Sequence, residues 1–185
     1  MLVIYVFCFL ALIAAKVHST ALDDYVNAPD ANYHWDELEG LGWKGEAIYK
    51  GRHPGYTAYM LNMTSQRWLT DADFSPSSQS GSIWYHSLVI IVPDVINSYT
   101  NASLWITGGS TGDIPNQDSE DIKVSAALAC SAGLVTGALF GIPNEHTIFS
   151  ADPLQASRTE DAVIAFTWVR SNLNPYTTPH TTVFL

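Results

Sequence analysis

The sequence predicts an α/β fold: an N-terminal region of antiparallel strands, then a partial parallel sheet with crossover helices. Three observations carry that prediction. Apolar runs at residues 84–92, 104–107 and 134–140 read as strands covered on both faces. Helical stretches at 122–132 and 161–173 give the order strand, strand, helix, strand, helix, and such alternation implies right-handed crossovers and parallel pairing. Upstream, short segments of strand composition at 46–50 and 56–63, separated by Gly51, His53-Pro54 and Gly55, imply a hairpin or meander.

The first residues stand apart from the fold. Residues 2–15 are almost wholly apolar, Lys16 follows, and the small residues Ser19, Thr20 and Ala21 suit a peptidase that cleaves after Ser19 or Ala21. The run is too short to span a bilayer and reads as a secretory signal over residues 1–21, which makes the expected product extracellular. The remainder of the 185 residues, with 47% hydrophobic and 12% aromatic composition overall, is long enough for one domain over 22–173. A Thr- and Pro-rich stretch, 174–185, reads as a divergent or truncated tail.

Loss of the signal removes Lys16 and no acid, so the formal charge moves from −10 to −11. That excess argues against nucleic acid and anionic membrane as partners, because both require a basic face. Cys8 falls in the signal, which leaves Cys130 alone in an Ala-rich apolar segment, where a buried and inert thiol is expected. Asn62-Met63-Thr64 and Asn101-Ala102-Ser103 are glycosylation sequons. Asn62 is expected at a strand end and Asn101 in a loop before a strand, the better acceptor.

In chain order, residues 22–36 read as an extended leader whose Tyr25, Tyr33 and Trp35 rings are buried, with a turn at Pro29-Asp30. The hairpin follows, residues 66–69 add a short strand, and 70–82 is a Ser-, Asp- and Pro-rich loop expected to be exposed. Residues 84–92 form the strongest strand, closed by Pro93-Asp94. Asp118, Ser119, Glu120 and Asp121 supply a cap and an acidic first turn for the helix at 122–132, which Gly133 ends. Gly141 and Pro143 stop the third buried strand. Ser157-Arg158-Thr159-Glu160 is a capping box for the last helix, and Asn174-Pro175 ends it.

Residues 104–112 (LWITGGSTG) carry the one motif with chemical content, Gly108, Ser110 and Gly112 in the pattern G-x-S-x-G. In a serine hydrolase that pattern is a nucleophile elbow, where a strand turns sharply into a helix whose N-terminus faces the oxyanion. Here Asp113-Ile114-Pro115-Asn116 intervenes, and no helix begins before about Asp118. A glycine loop at the carboxyl end of a parallel strand better suits the oxyanion side of the site, where backbone N–H groups meet a developing or bound negative charge. In the α/β-hydrolase plan the third strand leads into that loop and the first large helix, a fourth strand and second helix follow, and the nucleophile comes after the fifth strand. The segments here fall in that order and stop short of the elbow. The candidate oxyanion or ligand loop is therefore Gly108, Gly109 and Ser110, with no catalytic residue in the chain. His86 lies mid-strand and reads as a satisfied core or face histidine rather than a base. His53, His146 and His180 show no metal spacing, so neither metal nor cofactor is implied. Asp152 lies near a strand end, and Glu160-Asp161 are accounted for by helix capping.

Several blocks together resemble the PhoPQ-activated pathogenicity-related family: residues 21–30 (ALDDYVNAPD) with Tyr33 and Trp35, 61–68 (LNMTSQRW), Trp84 with His86, 106–110, Pro143-Asn144 and 158–168 (RTEDAVIAFTW). The resemblance runs from about Ala21 to Arg170. It implies an α/β-hydrolase-like fold and a secreted protein, since the family includes secreted bacterial proteins and the eukaryotic autocrine proliferation repressors. It also implies a second half holding the elbow serine, an acid and a histidine, none of which this sequence contains. Without the fifth strand, one central strand and the apolar sides of both helices would lack cover, which implies aggregation or need of a partner.

Overall fold

The computed structural model describes residues 21–173. The expected signal, apart from Ala21, and the tail at 174–185 lie outside the described residues. Among the described residues, those up to Pro29 belong to one unit and a second begins at Asp30. In the first, Ala21–Asn27 is a helix, α1, not the extended leader expected there. Asp23 and Asp24 occupy its first turn, where acids suit the helix dipole, and Asn27 Nδ2 donates to the Asp23 carbonyl at 2.7 Å.

The second unit is built on a six-stranded sheet. Its strands are β1 (His34–Glu37), β2 (Trp43–Glu46), β3 (Gly55–Arg67), β4 (Ile83–Pro93), β5 (Ala102–Ile106) and β6 (Val135–Leu139), in the order β1-β3-β4-β6-β5 with β2 also on β3. Asp30 shapes the entry: its Oδ1 accepts from the Asn32 amide at 2.8 Å, which turns the chain into β1. Tyr33 and Trp35, expected to be buried, are 59% and 57% exposed, because β1 lies on the sheet edge with every residue facing solvent. The hairpin is present with shifted bounds: Gly45 opposes Tyr56, and of the strand expected at 66–69 only Gln66 and Arg67 are strand, as the end of the long β3. Asn62 sits inside β3, opposite Asp36 and Ser87, not at a strand end.

The expected parallel sheet is corrected. Among the described residues only β5 and β6 pair in parallel, while β1, β2, β4 and β6 all lie antiparallel to their neighbours β3 or β4. The cause is the length of the β4–β5 connection, residues 94–101, which is shorter than the dozen or so residues a parallel crossover needs. The chain therefore reverses after β4. Helix α2 (Glu120–Ala132) then carries it back so that β6 runs parallel to β5 and enters between β5 and β4.

Alternation along β4 sends successive side chains to opposite faces and so builds two cores. Val89 and Ile91 join Met60, Ala58 and Ala138 beneath Ile122, Ala126 and Ala129 of α2. The alanines let that helix approach the sheet closely. Gly133 ends it in the left-handed conformation, φ 64°, with its amide on the Ala129 carbonyl. On the opposite face Trp84 packs with Trp68, Phe74, Phe149 and with Val163 of helix α3 (Glu160–Leu173). Phe74, Ser80 and Ser82 are buried, so the loop at 70–82 is partly interior, not exposed throughout as expected. Strand β5, expected to be covered on both faces, is an edge: Leu104, Trp105 and Ile106 are 56%, 37% and 58% exposed.

Candidate functional site

The glycine loop leaves the carboxyl end of β5 and is held from three sides. The Thr107 amide donates to the Leu139 carbonyl, the Gly141 amide donates to the Gly108 carbonyl, and the Ile142 amide donates to the Thr107 carbonyl, at 2.9, 3.0 and 3.3 Å. Thr111 is buried: its amide donates to the Glu145 carbonyl at 3.0 Å, and its Oγ1 accepts from the Glu145 amide at 2.8 Å. Ser87 Oγ on β4 donates to the Asp113 carbonyl at 2.6 Å. Gly109 and Gly112 have φ of 111° and 90°, a backbone that L side chains rarely adopt, which is the local reason for glycine here. A side chain at Gly108 would meet Glu160 Oε1 at 3.1 Å.

Gly108, Gly109 and Ser110 are thus together at one end of the sheet, and Gly109 lines a cavity of about 290 Å³ with Asp113, Ile114, Asn116, Ser119 and Phe140. The Ser110 amide donates to Asp113 Oδ2 at 3.1 Å. A carboxylate from the same loop therefore already sits on a backbone donor, in the way an anionic ligand or an oxyanion would. Helix α2 begins only at Glu120, and among the described residues no histidine is hydrogen-bonded to Ser110. Neither condition for an elbow serine is met at this position.

His86 lies behind the loop. Its Nδ1 is 3.0 Å from the Gly141 carbonyl, which can only accept, so Nδ1 carries the proton and Nε2 accepts from Ser65 Oγ at 2.8 Å. Burial pushes its pKa below the ordinary 6.5, against the opposing pull of the Gly141 and Phe140 carbonyls. Asn144 completes the support: its Nδ2 donates to the Tyr85 carbonyl at 2.9 Å and its Oδ1 accepts from the Tyr85 amide at 3.1 Å, as one residue of an added strand would. His86 thus fixes Gly141, and Gly141 fixes Gly108. The sequence reading of His86 as a satisfied core histidine agrees with this, but its link to the glycine loop was not legible. The separate blocks Trp84-His86 and Pro143-Asn144 were the available signal.

Carboxylates do more than the sequence indicated. Glu145 is buried, and its Oε2 accepts the Glu160 amide at 3.0 Å, so the first turn of α3 is capped from a distant loop and not by the expected Ser157 box. Asp152 is buried against Arg158, whose Nη2 donates to it at 2.8 Å while the guanidinium stacks over Phe166 at 4.4 Å. Burial would raise the Asp152 pKa; the Arg158 hydrogen bonds, the Leu154 and Ala156 amides and the Arg158 charge outweigh it and hold the group below 3.8. Asn62 and Asn101 are both exposed. Cys130, expected to be buried, is only half-buried, and burial and the Asp94 charge push its thiol pKa up. Among the described residues no cluster of histidine, cysteine or acids could hold a metal ion.

The family model described as PhoPQ-activated pathogenicity-related protein matches residues 22–183. Autocrine proliferation repressor protein A of Dictyostelium discoideum is 32% identical over 158 residues, which are 84% of this chain and 28% of that protein. The chain thus spans less than a third of the length of the curated relative it matches. No solved structure matches it. The match of the family model over most of the chain, together with the blocks at 61–68 and 158–168 that build the two sides of the Trp84 core, establishes that this chain belongs to the PhoPQ-activated pathogenicity-related protein family.

Proposed function

We propose that the chain is the N-terminal part of a secreted signalling or binding protein on an α/β-hydrolase-like scaffold, catalytically incomplete in itself, whose ligand end is the loop of Gly108, Gly109 and Ser110. One observation carries the reading: the Ser110 amide holds a carboxylate, that of Asp113, at the rim of a cavity, with no histidine hydrogen-bonded to the serine among the described residues. Such a loop binds negative charge without attacking it. The order of β5, glycine loop, α2, β6 and α3 supports the scaffold, as does the antiparallel β3–β4 pair before it. The relative's name, a proliferation repressor, supports an extracellular role toward a receptor or another secreted protein.

A second reading, a fragment of a secreted serine hydrolase of esterase or peptidase type, draws on the same loop as the oxyanion side of a site completed by later chain. Fold does not choose between the two. Expression in a eukaryotic secretory line tests the common ground: the protein should appear in the medium, begin near residue 20 or 22, and lose mass on deglycosylation in a manner abolished by Asn62→Gln and Asn101→Gln. For this chain the expected ester turnover and fluorophosphonate labelling are nil. Turnover removed by Ser110→Ala would overturn the binding reading.

A further inference from the structure

We propose that a cavity between the β2–β3 hairpin and helix α2 is a second binding site, and that it takes a free amino acid with an apolar side chain, held as its zwitterion. The cavity measures about 300 Å³. Ligand sites span about 300–1,000 Å³, so this one suits a molecule of amino-acid size and not a nucleotide or larger cofactor. It shares no lining residue with the cavity beside the glycine loop, so occupancy of one says nothing of the other. Its floor is apolar: Ala47, Ala126 and the Tyr56 ring line it, and all three are buried. Gly45, opposite Tyr56 on β2, lets the ring lie there, because a Cβ at that position would stand 2.6 Å from both Cζ and the hydroxyl oxygen of Tyr56. Tyr56 is 5% exposed; its oxygen accepts from the Trp43 indole N–H at 3.3 Å, and among the described residues its own proton has no acceptor. A buried tyrosine hydroxyl ordinarily spends its proton on a partner. Here that donor is left for a ligand.

Charges of both signs line the same cavity without meeting. Lys123 precedes Ala126 by three residues and so shares its side of α2, and among the described residues no ion pair joins its ammonium to a carboxylate. Asp118 lies in the turn before the helix. Its amide donates to Asn116 Oδ1 at 2.8 Å, while its carboxylate accepts no hydrogen bond among the described residues. Glu46 adds a second carboxylate, 4.0 Å from His53 Nδ1. An anion alone would satisfy Lys123 and the Tyr56 hydroxyl but lie against two carboxylates. A cation alone would satisfy the carboxylates but lie against the ammonium. A molecule with a carboxylate and an ammonium on one carbon answers both signs, its carboxylate toward Lys123 and Tyr56, its ammonium toward Asp118 and Glu46, and its side chain on Ala47 and Ala126.

The test is a titration of the full chain followed by proton–nitrogen correlation spectra. Phenylalanine and leucine are the probes, and hydrocinnamate and phenethylamine, which keep one charge each, are the comparisons. The amino acids should shift the Gly45, Lys123 and Ala126 amides and the Trp43 indole signal, and should bind at least about tenfold more tightly than either single-charge compound. Lys123→Met and Asp118→Asn both change exposed side chains. Each should weaken amino-acid binding by about tenfold or more without lowering the melting temperature, and Lys123→Arg, which keeps the charge, should retain most of it. The absence of any saturable shift with either amino acid up to about 10 mM overturns the proposal. So does equal affinity for a single-charge compound, or amino-acid affinity left unchanged in either charge-removing variant.

Discussion

Acidification from about pH 7.5 to about pH 5.5 tests the buried histidine that supports the glycine loop. His86 is 2% exposed, and its Nδ1 is committed to the Gly141 carbonyl while Nε2 accepts from Ser65. Its folded pKa lies below 6.5, so between that value and 6.5 the unfolded chain binds a proton that the native chain does not. Stability then rises with pH through this window, and it falls as the pH drops below 6.5, by up to about 1.4 kcal/mol per pH unit from this one group. Asp30 and Asp152, both held below 3.8, titrate outside the window. The control is His86→Asn, which keeps a donor toward Gly141 and loses the titration. It should be less stable at about pH 7.5, by about 1–3 kcal/mol, because the Ser65 hydroxyl loses its nearer acceptor and keeps only the Trp84 carbonyl at 3.4 Å, and the ring leaves a gap. Urea unfolding of both proteins across the range reads the effect: the native sequence should lose stability more steeply below pH 6.5 than the variant. Identical pH slopes in the two proteins would refute the assignment of a neutral, buried His86 as the brace of Gly141.

Trp84 is the centre of the second core, 5.2 Å from the Trp68 ring and edge-on to it, yet its indole N–H meets no acceptor among the described residues. Trp84→Ala should cost about 3–5 kcal/mol in chemical denaturation. Trp84→Phe, which removes the unpaired donor together with some volume, should cost less than half as much; equal costs would mean that the donor is satisfied. Arg158→Met should lower the melting temperature at neutral pH by leaving the buried Asp152 carboxylate without its partner. Because the Asp152 pKa is depressed, that loss should shrink as the pH falls below 3.8 through the folded value, and a difference that persists in acid would assign the Arg158 effect to its stacking on Phe166.

Patterns local in the chain were legible before any coordinates. The apolar runs became β4, β5 and β6, and the helix stopped at Gly133 because only a residue free to take positive φ ends it there. The glycine loop was found at the end of a strand and separated from α2, since a proline and two acids within a few residues mark a loop in any fold. Tertiary structure alone decided the rest. Strand direction was misread because an apolar run looks the same whether its neighbours are parallel or antiparallel; only the short β4–β5 connection, and β6 sliding between the two, fix it. Contacts between residues far apart in sequence leave no periodic trace, so the Ser65–His86–Gly141 chain, the Glu145 cap on α3 and the Asp113 carboxylate on the Ser110 amide appeared only when the chain was folded.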